Sequence, residues 1–322
     1  MKAVVVRQPG GPEVLTYTTV PTPTVKPGWS LVKIMGFGIN HSEIFTREGQ
    51  SPSVQFPRIL GIECVGVIAA TTAPERLPLG QKVISIMGEM GRAFDSSYAE
   101  YALLPNAQLY PVTTDLPWAT LATLPETFYT AFGSLKNLKI SATDRVLVRG
   151  ATSGVGVAFA QLLRGAFPQI KLAGTSRKLN KAAQLMAVGF DEVIEDRQGA
   201  LQTTATFDKI FELIGPATVK DSFKHLREGG IVCSTGQLGK QWYLEQFDPI
   251  TDIQRNSYLT SFYSGNVDQA KLDELLTFVQ TRQIPVKPER IFSLAELPDA
   301  HRYLQSQASF GKVIVLNTPD RS

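Results

Sequence analysis

A turn of small residues between a predicted strand and a predicted helix has the composition of a dinucleotide-binding site. Residues 150–156 read G-A-T-S-G-V-G and follow an apolar run. Such a turn lets backbone N–H groups approach a pyrophosphate, and the N-terminus of the following helix adds favourable electrostatics. The usual G-x-G-x-x-G pattern is altered, because Ala151 and Ser153 stand where the first two glycines would be. The predicted phosphate contacts are Ser153, Gly154, Val155 and Gly156; the alternative is a tight connection that binds nothing.

The end of the next predicted strand favours NADPH over NADH. NAD sites usually place an acidic residue about 20 residues beyond the turn, whereas NADP sites omit that carboxylate and supply cations. Here Gly174 and Thr175 occupy the expected position of the acid, and basic residues follow. An arginine fork binds a phosphate that a carboxylate would repel. The predicted contacts are Thr175, Ser176, Arg177 and Lys181; the alternative is the solvated basic start of a helix.

The predicted secondary structure changes along the chain, from strands alone to alternating strands and helices. Up to about residue 118, short apolar runs cut by Pro and Gly predict the strands of an irregular, mostly β domain. From Leu121, strands alternate with helices, as in the segments "RVLVR", "IKLAGT" and "EVIE". That alternation predicts an α/β fold with a doubly wound parallel sheet. The chain ends with a predicted helix and a strand, which could return to the first domain.

Composition excludes several classes of partner. The net charge of +3 comes from 32 basic and 29 acidic residues without a long run of either sign, so we expect neither nucleic acid nor a membrane as a partner. The opening "MKAVVVRQPG" is too short an apolar run for a signal peptide or a membrane span, which favours a cytoplasmic location. Cys64 and Cys233 lack any CxxC spacing and predict neither a disulfide framework nor a structural zinc site.

Several separated segments resemble the zinc-independent quinone oxidoreductases of the medium-chain dehydrogenase/reductase superfamily. They include "GFGINHSEIFTREG", "FPRILGIECVGVI", "VLVRGATSGVG" and the terminal "GKVIVL". The resemblance implies a discontinuous, GroES-like, mostly β catalytic domain formed by residues 1–121 and 265–322. It implies a Rossmann NADPH-binding domain over residues 122–264. It also implies a homodimer that pairs the edge strands of two Rossmann sheets.

Zinc alcohol dehydrogenases of the same superfamily are the main rival. They carry a Cys-His-Ser-Asp segment and a Gly-His-Glu segment, whose Cys and His bind catalytic zinc. Residues 40–43 read N-H-S-E and residues 61–63 read G-I-E, so neither ligand is present. Catalytic zinc normally needs three protein ligands. We therefore expect no metal.

Without zinc, the reaction that the resemblance implies is hydride transfer from NADPH to a quinone or similar conjugated carbonyl. Zinc would stabilise an alkoxide as a Lewis acid, and ordinary alcohol oxidation becomes difficult in its absence. A conjugated acceptor is already electrophilic, so positioning and a few hydrogen bonds suffice. Reduction of the C=C bond of an enone or enoyl thioester is an alternative. A non-catalytic NADPH-binding redox sensor is another, since Phe45 stands where many relatives have a tyrosine.

The resemblance also assigns candidate site residues. Asn40 corresponds to an asparagine near the nicotinamide, where its amide could hydrogen-bond a developing oxyanion or merely cap a loop. Glu63 is expected to hold loops together rather than to act as a base. The catalytic candidates are Asn40, Ser42 and Thr130. The further cofactor contacts that it implies are His41, Thr130, Gly236, Phe262 and Tyr263.

Overall fold

The chain forms two compact units. The structure is a computed structural model that describes residues 1–306 and 308–317. Contacts between Cα atoms group Met1–Thr127, Ser264–Glu274 and Val286–Ser322 into a first unit, and Phe128–Tyr263 and Leu275–Pro285 into a second. Residues 275–285 were expected in the first domain. They group with the second unit because the Phe278 ring lies 5.4 Å from that of Phe132.

The strands and helices are as follows. The strands are β1 (Lys2–Val6), β2 (Leu15–Thr19), β3 (Trp29–Gly38), β4 (Glu63–Ala70), β5 (Lys82–Ile86), β6 (Tyr101–Pro105), β7 (Tyr110–Pro111), β8 (Arg145–Arg149), β9 (Lys171–Ser176), β10 (Glu192–Arg197), β11 (Ala200–Leu201), β12 (Phe207–Glu212), β13 (Leu226–Ser234), β14 (Tyr258–Thr260), β15 (Arg290–Ser293) and β16 (Val313–Leu316). The helices are α1 (His41–Arg47), α2 (Trp118–Thr123), α3 (Pro125–Asn137), α4 (Gly154–Ala166), α5 (Ala182–Ala187), α6 (Val219–Lys224), α7 (Pro249–Asp252), α8 (Gln269–Thr281) and α9 (Leu297–Gln305).

The first unit is built on a sheet in the order β15-β16-β3-β4-β5-β7, with β6 also paired to β3 and a separate hairpin of β1 and β2. The apolar residues of β3 at Val32, Ile34 and Phe37 are buried in its core. The C-terminal strand β16 pairs antiparallel with β3, with Val315 opposite Phe37. The end of the chain therefore returns to the domain that its beginning forms, as its apolar pattern predicted.

The second unit contains the predicted doubly wound sheet. Its strand order is β11-β10-β9-β8-β12-β13-β14, and the pairs from β10 to β14 are parallel. The central strands are apolar runs because helices cover both faces of such a sheet. The carboxyl ends of parallel strands meet at one edge. The Gly-rich turn follows β8 at that edge, as the sequence predicts.

Two predicted helices differ in detail from the observed ones. The pattern "TLPETFYTAFGSLKNL" predicts one helix, but α2 ends at Thr123 and α3 begins at Pro125. Proline has no backbone N–H and fits the first position of a helix, so it starts a new one here. The segment "KLNKAAQLMAVG" forms a 3-10 turn over Leu179–Lys181 and then the short α5. No described helix has the length and apolar character needed to cross a membrane.

Candidate functional site

The turn after β8 is held in shape by the hydroxyl of Ser153. Ser153 is the N-cap of α4: its Oγ accepts from the Gly156 N–H at 3.1 Å and donates to the Gly150 carbonyl at 2.8 Å. Gly150 has φ +86°, in the left-handed region that favours glycine. The N–H groups of Gly154 and Val155 lie in the first turn of α4, where no earlier helical carbonyl can accept from them. They are the donors that this turn offers to an anion.

Gly156 allows α4 to lie against the end of β8. A Cβ added at this position would stand 2.7 Å from the Ala151 carbonyl oxygen and 2.8 Å from that of Gly150. Both contacts are to backbone, which cannot move aside like a flexible side chain. The third glycine of the turn is therefore required for close packing of helix and strand, which is its role in a dinucleotide-binding turn.

Thr175 is buried at the end of β9 and is bonded to the turn. Its Oγ1 accepts from the Gly150 N–H at 3.0 Å, so the hydroxyl fixes β9 to the start of the turn. Ser176 is half-buried, and Arg177 and Lys178 are exposed. Within residues 1–306 and 308–317, neither of these two cations has a hydrogen-bond or ion-pair partner. They are consequently available to a phosphate group, whereas Thr175 has a structural contact.

A buried arginine that sequence reasoning missed lies directly before the turn. Arg149 ends β8 and has no exposed surface. Its guanidinium donates to Asp196 at 2.7 and 3.3 Å, and its Nη2 lies 3.0 Å from Asp221. Glu212, at the end of β12, approaches to 3.9 Å. We call Arg149, Asp196, Glu212 and Asp221 the sheet-edge cluster.

Every donor of this arginine finds an acceptor. Besides the carboxylates, Arg149 donates to the carbonyls of Thr218 and Gly199 and to the hydroxyl of Ser222. Burial alone would lower the pKa of the guanidinium, but the surrounding carboxylates raise it. Burial raises the pKa of Glu212, opposed by Arg149 and by donors that include Ser222. The cluster fixes the ends of β8, β10 and β12 relative to one another.

The first unit holds a second buried polar cluster, formed by Asn40, Glu43, Glu63 and Lys312. Glu63 is fully buried, and its Oε1 accepts from Lys312 Nζ at 2.5 Å and from Asn40 Nδ2 at 2.7 Å. The Asn40 amide also donates to Glu43 at 3.1 Å and accepts from Lys312 at 2.8 Å. We call these four residues the lysine cluster. Two carboxylates here share one ammonium group.

The Asn40 amide is fully engaged in this arrangement. Both hydrogens of its NH2 group have carboxylate acceptors, and its oxygen accepts from Lys312. Its backbone N–H donates to Glu43 at 2.7 Å at the start of α1. An oxyanion could accept from Asn40 only if one of the two carboxylates released its hydrogen bond. The structure therefore shows the capping role that the sequence left open, and the catalytic role of Asn40 stays a prediction.

A chain of buried hydrogen bonds continues from Glu43. Its carboxylate is hydrogen-bonded to Tyr98. The Tyr98 hydroxyl lies 2.9 Å from His301 Nε2, and Arg47 Nη1 lies 3.0 Å from His301 Nδ1. Burial, together with the positive charges of Arg47 and His41, lowers the pKa of His301 to about 3. The imidazole is thus neutral, accepting from Arg47 at Nδ1 and donating from Nε2 to Tyr98.

The comparisons with known proteins agree with this fold. A model described as an alcohol dehydrogenase GroES-like domain matches residues 26–114, and one described as a zinc-binding dehydrogenase matches residues 188–315. A quinone oxidoreductase of Lama guanicoe is 27% identical over 74% of this chain and 74% of its own. The chain belongs to the medium-chain dehydrogenase/reductase superfamily, whose members are oxidoreductases.

Two further relatives extend over almost the whole chain. A chloroplastic NADPH-dependent alkenal/one oxidoreductase of Arabidopsis thaliana is 25% identical over 99% of this chain and 80% of its own. The solved structure of a quinone oxidoreductase from Coxiella burnetii superposes with a TM-score of 0.84, covering 99% of both chains, at 23% identity. At that identity the superposition shows the shared fold of the superfamily. It assigns no substrate.

The residues at the zinc-ligand positions of the superfamily do not fit a metal ion. Asn40 stands in place of the cysteine, and Ile62 in place of the histidine. Glu63 already accepts from the Lys312 ammonium at 2.5 Å, and a cation beside it would be repelled. In the described part of the chain, no group of three His, Cys, Asp or Glu residues could hold a metal. We derive no step through zinc.

The remaining predicted residues are placed in one unit or the other. In the first unit, His41 starts α1 and the Ser42 hydroxyl is buried without a partner among the described residues. In the second, Thr130 is buried in α3, and the Phe262 ring packs 5.7 Å from that of Tyr129. Tyr263 is 63% exposed, and Gly236 lies against the backbone of Leu213. The structure thus brings the turn residues and Thr175 together around Gly150.

Glu43 should make the stability of the protein depend on pH. Burial and the Glu63 carboxylate raise its pKa from 4.5 to about 7, against the opposing effects of Lys312 and Asn40. The unfolded chain loses this proton near pH 4.5, and the folded chain keeps it until about pH 7. Its stabilising contribution is therefore complete below pH 4.5 and is lost as the pH rises to about 7. We expect a loss of about 3 kcal/mol over this window.

Urea unfolding of wild type and Glu43→Gln across this pH range tests the assignment. The variant should lack this part of the pH dependence, because its amide does not titrate. Glu75→Gln removes an exposed carboxylate from the same unit, and should retain the wild-type dependence. Equal slopes for wild type and Glu43→Gln would contradict a raised pKa at this residue.

Proposed function

We propose that this oxidoreductase uses NADPH to reduce a quinone or a similar conjugated carbonyl compound, without a metal ion. The observation that carries the NADPH assignment is the end of β9. Thr175 stands where a NAD site has its acid, and the exposed cations Arg177 and Lys178 follow. The Arabidopsis relative is named NADPH-dependent. A 2′-phosphate carries the charge that these cations would bind.

The chain's own residues would hold the cofactor as follows. The N–H groups of Gly154 and Val155 would donate to the pyrophosphate at the N-terminus of α4. Arg177, with Ser176 and Lys181, would bind the 2′-phosphate. Bound NADPH supplies a hydride to the acceptor. The nicotinamide end would contact the residues that the family resemblance implies, namely His41, Thr130, Gly236, Phe262 and Tyr263.

Three polar side chains are proposed to orient the acceptor. The amide of Asn40 could stabilise a developing oxyanion once its hydrogen bond to Glu43 or to Glu63 is broken. The Ser42 hydroxyl, two residues further on and without a partner among the described residues, is a second donor, and the Thr130 hydroxyl is a third candidate. A conjugated acceptor delocalises the incoming negative charge, so a few hydrogen-bond donors are enough to stabilise it.

A second activity is favoured by one specific comparison. The Arabidopsis relative, an alkenal/one oxidoreductase, matches 99% of this chain, whereas the quinone oxidoreductase of Lama guanicoe matches 74%. Reduction of a conjugated C=C bond is therefore the alternative. Steady-state NADPH consumption with 1,4-benzoquinone and with 2-hexenal separates the two. Turnover of benzoquinone alone supports quinone reduction, turnover of hexenal alone supports the alternative, and tight NADPH binding without any turnover would indicate a redox sensor.

A homodimer through β14 is also proposed. This strand is at the edge of the described sheet, and Tyr258 is 62% exposed there. Exposed edge strands pair readily with another chain. Sedimentation should give the mass of a dimer, and Leu259→Lys should shift it to a monomer. A cytoplasmic location stays a prediction from the sequence.

Arg177→Ala should separate the two nicotinamide cofactors. Loss of a charge-assisted bond to the 2′-phosphate should weaken NADPH binding by about 1.5–3 kcal/mol and leave NADH nearly unchanged, because NADH lacks that phosphate. Titration calorimetry with both cofactors measures the difference. Lys171→Ala, which removes an exposed cation from the opposite end of β9, should change neither affinity much. Equal losses for NADPH and NADH in Arg177→Ala would refute the role.

A further inference from the structure

A cavity of about 480 Å³ opens within the first unit. Its walls come from β1, β3 and β6 and from segments around residues 20–26, 57–59 and 94–96. None of its lining residues belongs to the lysine cluster or to the residues proposed for NADPH and the acceptor. Its size is within the range of pockets that bind small organic molecules. The proposed oxidoreductase activity makes no use of it.

One wall of this cavity is aromatic. The rings of Trp29 and Phe94 meet edge to face with centroids 5.1 Å apart, and Tyr101 and Leu103 also line the cavity. Such a wall favours a flat ring, which can pack against it with a large contact area. The Tyr101 hydroxyl has no hydrogen-bond partner in residues 1–306 and 308–317. It can therefore bond to a polar group on the same molecule.

The charged residues of the cavity are mostly basic. Arg7, Lys26 and Arg58 line it together with a single acid, Asp95. Arg58 donates to Asp95 at 3.1 Å, and Lys26 lies 4.1 Å from the centre of the Trp29 ring. Among the described residues, Arg7 and Lys26 have no carboxylate partner. The cavity thus has an excess of positive charge beside its aromatic wall, which favours an anion.

Two buried polar atoms at the cavity lack partners. Ser96 is 1% exposed, and its hydroxyl has no hydrogen-bond partner in the described chain. The Nε atom of Arg58 is buried in the same way. Buried polar groups in folded proteins nearly always have a partner. Both residues line the cavity beside the unpaired cations, where a ligand with acceptor oxygens could supply the missing partners.

We propose that this cavity binds a small aromatic carboxylate. The ring would pack on Trp29, Phe94 and Tyr101, and the carboxylate would face Arg7, Lys26 and Arg58, with the Ser96 hydroxyl as a further donor. Guanidinium groups bind carboxylates through paired hydrogen bonds. The residues that line this cavity are separate from those proposed for the dinucleotide and the acceptor.

Titration calorimetry of the full chain with 2-naphthoate tests this proposal. The neutral analogue 2-naphthalenemethanol should bind about tenfold more weakly, because it lacks the charge that the cations attract. Arg7→Gln/Lys26→Gln should also weaken naphthoate binding by about tenfold. Lys33→Gln/Lys287→Gln makes the same change in net charge at exposed residues outside the cavity, and should stay within about twofold of wild type. Saturating NADPH should leave the affinity unchanged.

Ser96→Ala distinguishes binding from a structural effect. The hydroxyl makes no hydrogen bond within the described part of the chain, so its removal should leave the melting temperature unchanged and weaken naphthoate binding by about threefold or more. The proposal is wrong if naphthoate shows no saturable binding, if the alcohol binds as tightly, or if NADPH displaces the probe. Equal affinities for the two double variants, or for Ser96→Ala and wild type, would also overturn it.

Discussion

Arg149→Met is expected to lower the free energy of unfolding of the second unit by about 3–5 kcal/mol. The fully buried guanidinium contacts Asp196 at 2.7 Å and Asp221 at 3.0 Å, with Glu212 at 3.9 Å. Methionine would fill much of the volume but would leave these carboxylates without a cation. Removing one partner of a buried ion pair is costly because the other charge stays desolvated. Hydrogen exchange of the β8 and β12 amides measures the loss within the unit concerned.

Arg145→Met is the matched control, since it removes an arginine from the other end of the same strand. Arg145 pairs with Glu192 at 2.7 Å, but both side chains are partly exposed. Water screens such a pair, and its removal should change the unfolding free energy by less than about 1 kcal/mol. Similar losses for the two variants would show that burial of Arg149 has no special energetic consequence.

The topology of the second unit could be predicted because it rests on local patterns. Apolar runs and helical periods alternate from Leu121 onward, and each signal lies within a few residues. The same holds for the turn, where small residues and Ser153 fix the local geometry. The sheet-edge cluster could not be predicted, because Asp196, Glu212 and Asp221 are remote from Arg149 in sequence. The parallel register places Glu212 opposite Arg149, while Asp196 comes from β10 and Asp221 from α6.

A weak signal for this cluster was nevertheless present. The apolar strands "RVLVR" and "FDKIFE" each end in a charged residue, Arg149 and Glu212. Charges at the ends of adjacent buried strands meet at one edge of the sheet.

Thr175 shows that a motif can predict a residue's position without predicting all of its contacts. Its position in the motif predicts a ligand contact, which stays a prediction, but does not reveal that its hydroxyl accepts from the Gly150 N–H.

The role predicted for Asn40 illustrates what family resemblance leaves out. Residue type and position place an amide near the reacting groups, but its partners come from across the chain. Lys312 is 272 residues from Asn40 and 249 from Glu63. The pairing of β16 with β3 brings the end of the chain back to this region. Because these bonds engage both hydrogens of the amide, any catalytic use of Asn40 is coupled to the two carboxylates.

Lys312→Met is the second variant with a large expected effect. It would leave Glu43 and Glu63 buried without their ammonium partner, and we expect a loss of about 3–5 kcal/mol in unfolding free energy. Lys312 lowers the pKa of Glu43, so the variant should keep that carboxyl protonated to higher pH. The loss should therefore be larger at about pH 8 than at about pH 5, where protonated Glu43 no longer needs a cation. Urea unfolding at both pH values measures it.

A double-mutant cycle decides whether this loss arises from the Glu63 pair. Lys312→Met/Glu63→Gln replaces the closest pair, 2.5 Å apart, by two uncharged residues. The double variant should then lose less stability than the sum of the single variants, with a coupling of about 1–3 kcal/mol. Lys287→Met, at an exposed lysine of the same unit, should have almost no effect. Additive losses would mean that Lys312 stabilises the unit without its pair with Glu63, through its other contacts such as the hydrogen bond to Asn40 at 2.8 Å.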